Sequence, residues 1–246
     1  MRGLLCLIVG LGLATGLGRA SDLADANAAF SKGDYSKAAV AYQTMVDGGT
    51  TSPELFFNLA TALEKDGKPL QAALNYQRAL ILDPGLRPAH NNLALLAAER
   101  EIDERPRTWV SDVTSWVHPS VLMNLGSVMG WAGCVGVVFG IFSSGRRSLL
   151  IASVAVIAMA TVLFAVGFVG DPRVADANLA MVMDAEGVKA LAAPASNSSA
   201  VDDLPGGSSV GVLSPRGAWT YVELADGARG WVPSDSLAMV VPGSGS

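Results

Sequence analysis

The chain is poor in the residues from which metal and redox sites are built. It has two cysteines and two histidines among 246 residues. Cys6 and Cys134 both lie inside apolar runs, so we predict no disulfide framework and no CxxC metal site, and we expect Cys134 to be buried among helices. His90 and His118 have no second histidine and no cysteine at ligand spacing. The sequence therefore predicts neither a metal nor a cofactor.

Charge is also scarce, and none of it is concentrated into a basic patch. Charged residues make up 16% of the chain, and the net charge is −5. Because a nucleic-acid surface needs clustered lysine and arginine to neutralise phosphates, we predict no nucleic-acid partner. Ser-x-x-Lys and phosphate-loop patterns are absent, and the adjacent Asp202 and Asp203 indicate a solvated turn rather than an acid/base pair. The chain is therefore predicted not to be an enzyme.

The N-terminus has the pattern of a secretory signal peptide. A basic residue, Arg2, precedes an apolar core over residues 4–17, and the small-x-small tripeptide 18–20 follows it. A membrane-spanning helix needs about 20 apolar residues, so this core is too short to be a good span. We predict a signal peptide over residues 1–20, cleaved after Ala20, and export of the domain that follows it.

Two longer apolar runs predict a pair of membrane-spanning helices. Residues 121–142 and 149–169 contain no charged side chain, and each run can cross the ~30 Å core of a bilayer. The six-residue loop at 143–148 makes them an antiparallel hairpin, and Arg146 and Arg147 mark that loop as cytoplasmic. We thus expect a multi-pass protein of a bacterial inner membrane, embedded in the lipid bilayer, with both soluble domains on the extracytoplasmic, periplasmic side.

Glycines in the first span predict close packing of helices. Gly126 with Gly130, and Gly136 with Gly140, stand four residues apart. Such pairs let helix backbones approach each other in lipid, either within the hairpin or between two copies of the chain. We favour packing within the hairpin, because the partner helix is already tethered there.

The segment just before the first span predicts an interfacial helix over residues 106–120. Trp109, Val113, Trp116 and Val117 fall on one face of a helix. Tryptophans are typical of the headgroup level of a membrane, so we expect this face to lie at the bilayer surface.

The N-terminal domain, residues 21–105, contains an internal repeat with a period of 34 residues. The segment 33–38 is matched by 67–72, and Tyr42 is matched by Tyr76. This pattern resembles the tetratricopeptide repeat, a helix–turn–helix unit. The resemblance implies about two and a half repeats, with helices over 54–65 and 69–82 and a capping helix from 88 to about 103.

The resemblance also implies a concave groove, lined by the first helix of each repeat, that takes peptides. Asn27, Asn58 and Asn92 fall at positions where such grooves place asparagines, whose amides can hold an extended peptide backbone. Alternatively, Asn58 and Asn92 cap or bridge neighbouring helices. No lysine or arginine stands where a carboxylate clamp in this groove would need one, so recognition of a C-terminal tail there is not expected.

The C-terminal domain, residues 179–242 after a linker over 170–178, is predicted to be all-β. Asp226-Gly227 is a strong hairpin signal, because both residues tolerate a positive φ. The segments 217–222 and 230–233 around it resemble a bacterial SH3-type domain, which implies a small closed barrel with the polar stretch 194–207 as a long loop. The strands are expected within 179–184, 187–191, 208–214, 218–224 and 228–232.

Three aromatic residues of this domain are candidates for a ligand surface. Bacterial SH3-type domains often bind cell-wall peptides or other proteins, and Trp219, Tyr221 and Trp231 could offer an aromatic surface for that purpose. We predict Tyr221 to lie on the surface. Trp219 and Trp231 are each either on that surface or in the barrel core, and we favour the core.

The order of the modules resembles that of the BatE family. These proteins take the last name in the series of proteins of the aerotolerance operon. The resemblance implies a multidomain membrane protein: an α-helical tetratricopeptide array, a two-helix transmembrane hairpin and a C-terminal all-β SH3-like barrel. It also implies association with von Willebrand A-domain membrane proteins and a MoxR-type AAA ATPase in a complex linked to oxygen or stress tolerance. Two functions stay open. One is a non-enzymatic scaffold that docks membrane or periplasmic proteins, and the other is an envelope anchor or sensor that binds peptidoglycan through the SH3-like domain.

Overall fold

The computed structural model describes residues 22–100, 109–142 and 147–241. The predicted signal peptide and most of the predicted loop between the spans lie outside these ranges. Within them, helices come first and strands follow. The helices are α1 (22–31), α2 (Tyr35–Asp47), α3 (Pro53–Lys65), α4 (Pro69–Leu82), α5 (Arg87–Arg100), α6 (Trp109–Trp116), α7 (Pro119–Phe142), α8 (Arg147–Val169) and the short α9 (Pro172–Ala175).

Local signals in the sequence set the ends of the helices near the N-terminus. The Ser52 side chain accepts a hydrogen bond from the backbone N–H of Leu55 at 3.1 Å, so it caps α3, and Pro53 begins the helix. Gly67 has a φ of 77°, which suits the sharp turn between α3 and α4. The observed bounds of α4 coincide with the predicted 69–82, and α3 begins one residue before the predicted start.

Helix α4 is enclosed over most of its length. All of residues 72–77 and 79–81 are buried. One side of α4 packs on α3 and another on α5, and its C-terminal half meets the strands described below. A helix in this position cannot show a clear polar stripe, because partners cover several of its faces.

Helices α7 and α8 are long and apolar enough to cross a membrane. Their mean hydropathies are 1.8 and 2.7, and only 17% and 11% of their most apolar windows are buried. Both helices pack along each other and expose large apolar side chains on the outside, among them Trp131 (76% exposed) and Phe142 (84% exposed). Cys134 lies on this outer surface, so the expectation that it is buried was wrong.

Small residues at seven-residue intervals form the contact between α7 and α8. Gly126, Gly133 and Gly140 are buried on α7, and Ser153, Ala160 and Gly167 are buried on α8. A seven-residue repeat keeps one seam facing the partner helix when the two helices coil around each other. The contact is so close that a Cβ on Gly126 would lie 2.8 Å from the Ala160 carbonyl oxygen. Gly130, which the four-residue spacing had paired with Gly126, has only the Ala160 Cβ nearby, at 3.8 Å.

Helix α6 leads into α7 and packs beside the end of α8. A Cβ on Gly170 would lie 2.5 Å from Thr114 and 2.8 Å from Val110, so the chain after α8 passes close against α6. Trp116 is 82% exposed, and the Arg87 guanidinium lies 5.9 Å from the centre of its ring. This geometry leaves the tryptophan free to meet a surface outside the protein.

The C-terminal part is an antiparallel sheet, and it is open. The strand order is β3-β2-β6-β5-β4-β1-β7, so β3 and β7 are edges, and no pairing joins them within the described residues. The predicted closed barrel is therefore wrong in its closure. The strands are β1 (Leu179–Val182), β2 (Val188–Leu191), β3 (Ala200–Leu204), β4 (Ser209–Arg216), β5 (Trp219–Glu223), β6 (Arg229–Pro233) and β7 (Leu237–Met239).

Two strands were missed by the sequence analysis. Strand β3 lies inside the stretch 194–207 that was expected to be a loop, and β7 follows the last predicted strand. The predicted hairpin between β5 and β6 is confirmed, with Gly227 at a φ of 85°.

The sheet and the helices near the N-terminus share one apolar core. Met181 and Val240 are fully buried in the same cluster as the side chains of α2, α3 and α4. On this side of the sheet, the Arg78 Nη2 of α4 donates a hydrogen bond to the Met239 carbonyl at 3.0 Å. A second cluster of buried apolar side chains, which includes Val182, Val222 and Val232, is formed by the sheet part alone. Helix α4 thus packs against one face of the sheet at β1 and the end of β7.

We predict that Gly126→Ala loosens the α7–α8 pair and that Gly130→Ala does not. The new Cβ at position 126 would meet backbone atoms of α8, which cannot move aside, and such overpacking typically costs about 1–3 kcal/mol. At position 130 the Cβ makes an ordinary contact, and alanine favours the helix over glycine by about 1 kcal/mol. Denaturation by SDS of the full-length protein in mixed micelles measures both. Equal stability of the two variants would contradict the glycine seam.

Candidate functional site

The three predicted groove asparagines lie on the first helices of the repeat: Asn27 on α1, Asn58 on α3 and Asn92 on α5. Asn58 and Asn92 are one period apart and are both half-buried, whereas Asn27 is exposed. Asn27 is three residues out of their phase, and its equivalent one period later is Thr61. The three side chains are therefore not equivalent in the repeat, although all three belong to the same set of helices.

Asn27 and Thr61 each contact a tyrosine from the second helix of their own repeat, and these two tyrosines occupy equivalent positions. The Tyr42 hydroxyl donates to the Asn27 Oδ1 at 2.6 Å, and the Tyr76 hydroxyl lies 3.2 Å from the Thr61 Oγ1. Both pairs are 15 residues apart in the chain. The Asn27 side chain thus joins α1 to α2, a structural role that the spacing did not predict.

Asn92 is also engaged in the packing of the helices. Its Nδ2 donates to the Tyr76 hydroxyl at 3.0 Å, and that hydroxyl donates to the Glu64 Oε2 at 2.6 Å. Tyr76 is fully buried. Burial, and after it the hydrogen bond to Glu64, raises the pKa of Tyr76 from 10.0 to about 12. This network connects α3, α4 and α5. Asn92 therefore bridges neighbouring helices, which was the alternative to a role in the groove.

Asn58 differs from the other two. Among the residues that the structure describes, no partner hydrogen-bonds to its side-chain amide, which is partly open to solvent. Apolar side chains also stand on this set of helices: Phe57 next to Asn58 in the chain, Leu23 on α1 (36% exposed) and Leu95 on α5 (66% exposed). A primary amide can donate to a peptide carbonyl and accept from a peptide N–H, and exposed leucines can bury apolar side chains of the same ligand. We call these four residues, Leu23, Phe57, Asn58 and Leu95, the first-helix face.

A second candidate surface lies on the sheet. Trp219, Tyr221 and Trp231 are all half-buried and fall on one side of β5 and β6, because alternate residues of a strand point the same way. Tyr221 stands opposite Trp231, with ring centroids 4.9 Å apart. The intervening residues Val222 and Val232 are the buried ones. Trp219 and Trp231 therefore do not fill the core, which corrects the favoured prediction, and they form an aromatic row with Tyr221.

Charged pairs flank the aromatic row. Arg229 and Glu223 lie opposite each other on β6 and β5, with the Nη2 3.1 Å from the Oε1. At the neighbouring edge the Lys189 Nζ is 3.9 Å from the Asp203 Oδ1, and both side chains are mostly exposed. Such exposed pairs contribute little to stability, and so they leave the row with a polar, solvated margin.

The residue types of metal and nucleophilic sites are not brought together in the described ranges. No group of three or more His, Cys, Asp or Glu side chains there could hold a metal ion. The stretch 207–211 has a Gly-x-Ser-x-Gly pattern that the sequence analysis did not single out. It enters β4 of an antiparallel sheet, whereas the pattern signals a nucleophile only in a turn between a strand and a helix.

Comparison with protein-family models and with curated proteins gives no relative from which a role could be transferred. No protein-family model matches the sequence, and no curated protein matches it. The argument for function therefore depends on the geometry of the first-helix face and the aromatic row.

We predict that Tyr76→Phe destabilises the helical part more than Tyr42→Phe does. The first substitution takes a hydrogen-bond partner from both the Glu64 carboxylate and the Asn92 amide, and we expect a loss of about 1–3 kcal/mol. The second removes one bond to an exposed asparagine, worth about 0.5–1.5 kcal/mol. Chemical denaturation of the full-length protein in detergent, followed by circular dichroism, compares them. Similar losses would argue against a special role for the Tyr76 network.

The same network predicts a dependence of stability on pH. The pKa of Tyr76 is about 12 in the folded protein and is expected near 10.0 in the unfolded chain, so the unfolded state loses this proton first. The stabilisation is complete below pH 10 and is lost as the pH rises toward 12. Melting temperatures measured over this interval should fall more steeply in the wild type than in Tyr76→Phe. Parallel curves would contradict the raised pKa.

Proposed function

We propose that the protein is a non-enzymatic scaffold, anchored in a membrane by α7 and α8, that docks partner proteins on the first-helix face. The observation that carries this proposal is the Asn58 amide, which is partly open to solvent and has no hydrogen-bond partner in the described part of the chain. The amides of Asn27 and Asn92 are used by the fold itself. Asn58 is thus the one of the three predicted groove asparagines that is ready to hold a ligand.

The finer features of this function come from the sequence. The helix pairs are a short tetratricopeptide array, as their 34-residue period suggests. The chain enters the bacterial inner membrane as a multi-pass protein, and both soluble parts lie on the periplasmic side. By resemblance to the BatE family, the partners are membrane or periplasmic proteins with von Willebrand A domains, in a complex linked to oxygen or stress tolerance.

Weak contacts that are spread over several residues suit this role. One amide contributes about 0.5–1.5 kcal/mol to the binding of a peptide backbone. Exposed leucines contribute through the apolar area that the partner covers, at about 25 cal/mol per Å². Tethering of both proteins in one membrane raises their effective concentration, so even weak docking gives a populated complex.

A scaffold role predicts that Asn58→Ala weakens capture of the partners. We expect A-domain membrane proteins to copurify with the tagged full-length protein after crosslinking in cells, and to be recovered about 2- to 10-fold less with this variant. Mass spectrometry of the eluates measures the recovery. Asn197→Ala is the matched control, because Asn197 is exposed on the sheet part. Equal losses in both variants, or none in Asn58→Ala, would refute docking on this face.

The aromatic row favours a second candidate function, an envelope anchor or sensor that binds peptidoglycan. Trp219, Tyr221 and Trp231 are partly solvent-exposed and adjacent, and stacking on aromatic rings is a common way to hold flat or apolar ligand groups. An SH3-like sheet part, as the sequence suggests, would fit this role. The two functions can coexist, since the two surfaces are on different parts of the chain.

The peptidoglycan role predicts that wall binding depends on Tyr221. The detergent-solubilised full-length protein should cosediment with purified peptidoglycan, and Tyr221→Ala should lower its retention by about 2- to 10-fold through loss of ring contacts. Trp116→Ala serves as the control, because Trp116 is an exposed aromatic residue outside the sheet. Unchanged retention in Tyr221→Ala would exclude the aromatic row as the wall-binding surface.

A further inference from the structure

Helix α6 is fixed in place at the end of the α7–α8 pair. Gly167 of α8 lies beside the first residue of α7, because a Cβ on Gly167 would be 2.9 Å from the Pro119 carbonyl oxygen. Three residues later, Gly170 lies against Val110 and Thr114 of α6. At 1.5 Å per residue, this contact is about 4–5 Å beyond the start of α7 along the axis of α8.

Given the anchoring by α7 and α8 proposed above, α6 lies in the headgroup layer of the bilayer. That layer is about 5–8 Å thick on each side of the hydrocarbon core. Exposed apolar side chains follow one another along the chain from α6 into α7, namely Val113, Trp116, Val121 and Leu125. The lipid-facing surface of the spans therefore extends into α6.

Arg87, the first residue of α5, brings the helical repeat to this same level. Its guanidinium lies 5.9 Å from the centre of the Trp116 ring. Asp83, the acid nearest to it in the chain, accepts a hydrogen bond from the Gly85 N–H, and no carboxylate of the described residues forms an ion pair with Arg87. An aromatic ring attracts a cation through its quadrupole, which leaves the N–H donors of the guanidinium free to bind an oxygen ligand.

The contact between Arg87 and Trp116 does not by itself explain the position of the ring. Trp116 is 82% exposed, so the cation covers only a small part of it, and exposed cation–π pairs stabilise a fold only slightly. A tryptophan at headgroup level instead places its amphipathic ring between water and acyl chains. An arginine beside it meets lipid phosphates, which a guanidinium can bind through two parallel hydrogen bonds.

We propose that Arg87 and Trp116 together bind the headgroup of an anionic phospholipid, and that this lipid holds the helical repeat against the membrane surface. In the complex, the Arg87 guanidinium donates to two oxygens of the lipid phosphate. The Trp116 ring lies beside the glycerol, and Val113, one helical turn earlier on α6, contacts the first acyl carbons. A zwitterionic lipid binds less well, because its own positive charge lies next to the phosphate.

The first test measures lipid affinity of the full-length protein in detergent. Native mass spectrometry of titrations with phosphatidylglycerol or phosphatidylcholine gives the dissociation constants of individual lipids. We expect the first phosphatidylglycerol to bind about fivefold more tightly than phosphatidylcholine, and Arg87→Gln to abolish this preference. Arg87→Lys should keep part of it, because the charge remains while the paired hydrogen bonds are lost. Arg216→Gln is the matched control, since Arg216 is an exposed arginine on the sheet.

The second test locates the lipid. Hydrogen exchange of the full-length protein is compared in nanodiscs of phosphatidylcholine alone and of its equimolar mixture with phosphatidylglycerol. Amides at the start of α5, within residues 85–96, should exchange at least about threefold more slowly in the mixture. This protection should be absent in Arg87→Gln and in Trp116→Ala, and it should be unchanged in Arg216→Gln.

The outcomes separate this site from the membrane anchoring on which it rests. Equal affinity for the two lipids, a preference that persists in Arg87→Gln, or equal exchange in the two kinds of nanodisc would each overturn the lipid site, and Arg87 would then be left for a carboxylate of a protein partner. In those cases retention of the chain in nanodiscs would still support anchoring by α7 and α8. Failure of the wild type to be retained would contradict the anchoring as well.

Discussion

The enclosure of α4 is the constraint on which the rest of the structure depends. This one helix packs on α3 and α5, and its C-terminal half meets β7 and the segment that follows it. Its residues must therefore satisfy two sets of neighbours at once. The consequence is visible in its polar side chains, since Asn75, Gln77 and Arg78 all have buried polar atoms without a partner in the described ranges. A sequence selected only for helix packing would have placed apolar residues there.

The sequence predicted the helices well because the signals for a helix are local. Proline at the first position and glycine in a turn act within a few residues, so the bounds of α4 could be stated in advance. The sheet was harder. Alternation in β5 shows that Trp219 and Tyr221 share a face, but which face is buried depends on strands far away in the chain. Closure of the sheet was wrongly expected because no local pattern indicates whether the edge strands β3 and β7 pair with each other.

The candidate site shows the same limit. The 34-residue period located Asn58 and Asn92. It could not tell which of the two amides forms a hydrogen bond within the fold, because that depends on the position of Tyr76 in three dimensions. Strand β3 was missed since its Asp202 and Asp203 resemble a loop, although charged residues are common on edge strands. The contact of Arg78 with β7 joins positions 161 residues apart, and no short-range pattern could have revealed it.

The glycine seam of α7 and α8 has a consequence for the helical repeat and the sheet. The two helices are antiparallel and their backbones nearly touch. The end of α8 therefore lies within about a helix diameter of the start of α7. The helical repeat and the sheet are thus held together by covalent chain, as two ends of one short tether. Their association is intramolecular and proceeds at a high local concentration, so a modest interface suffices to keep them docked.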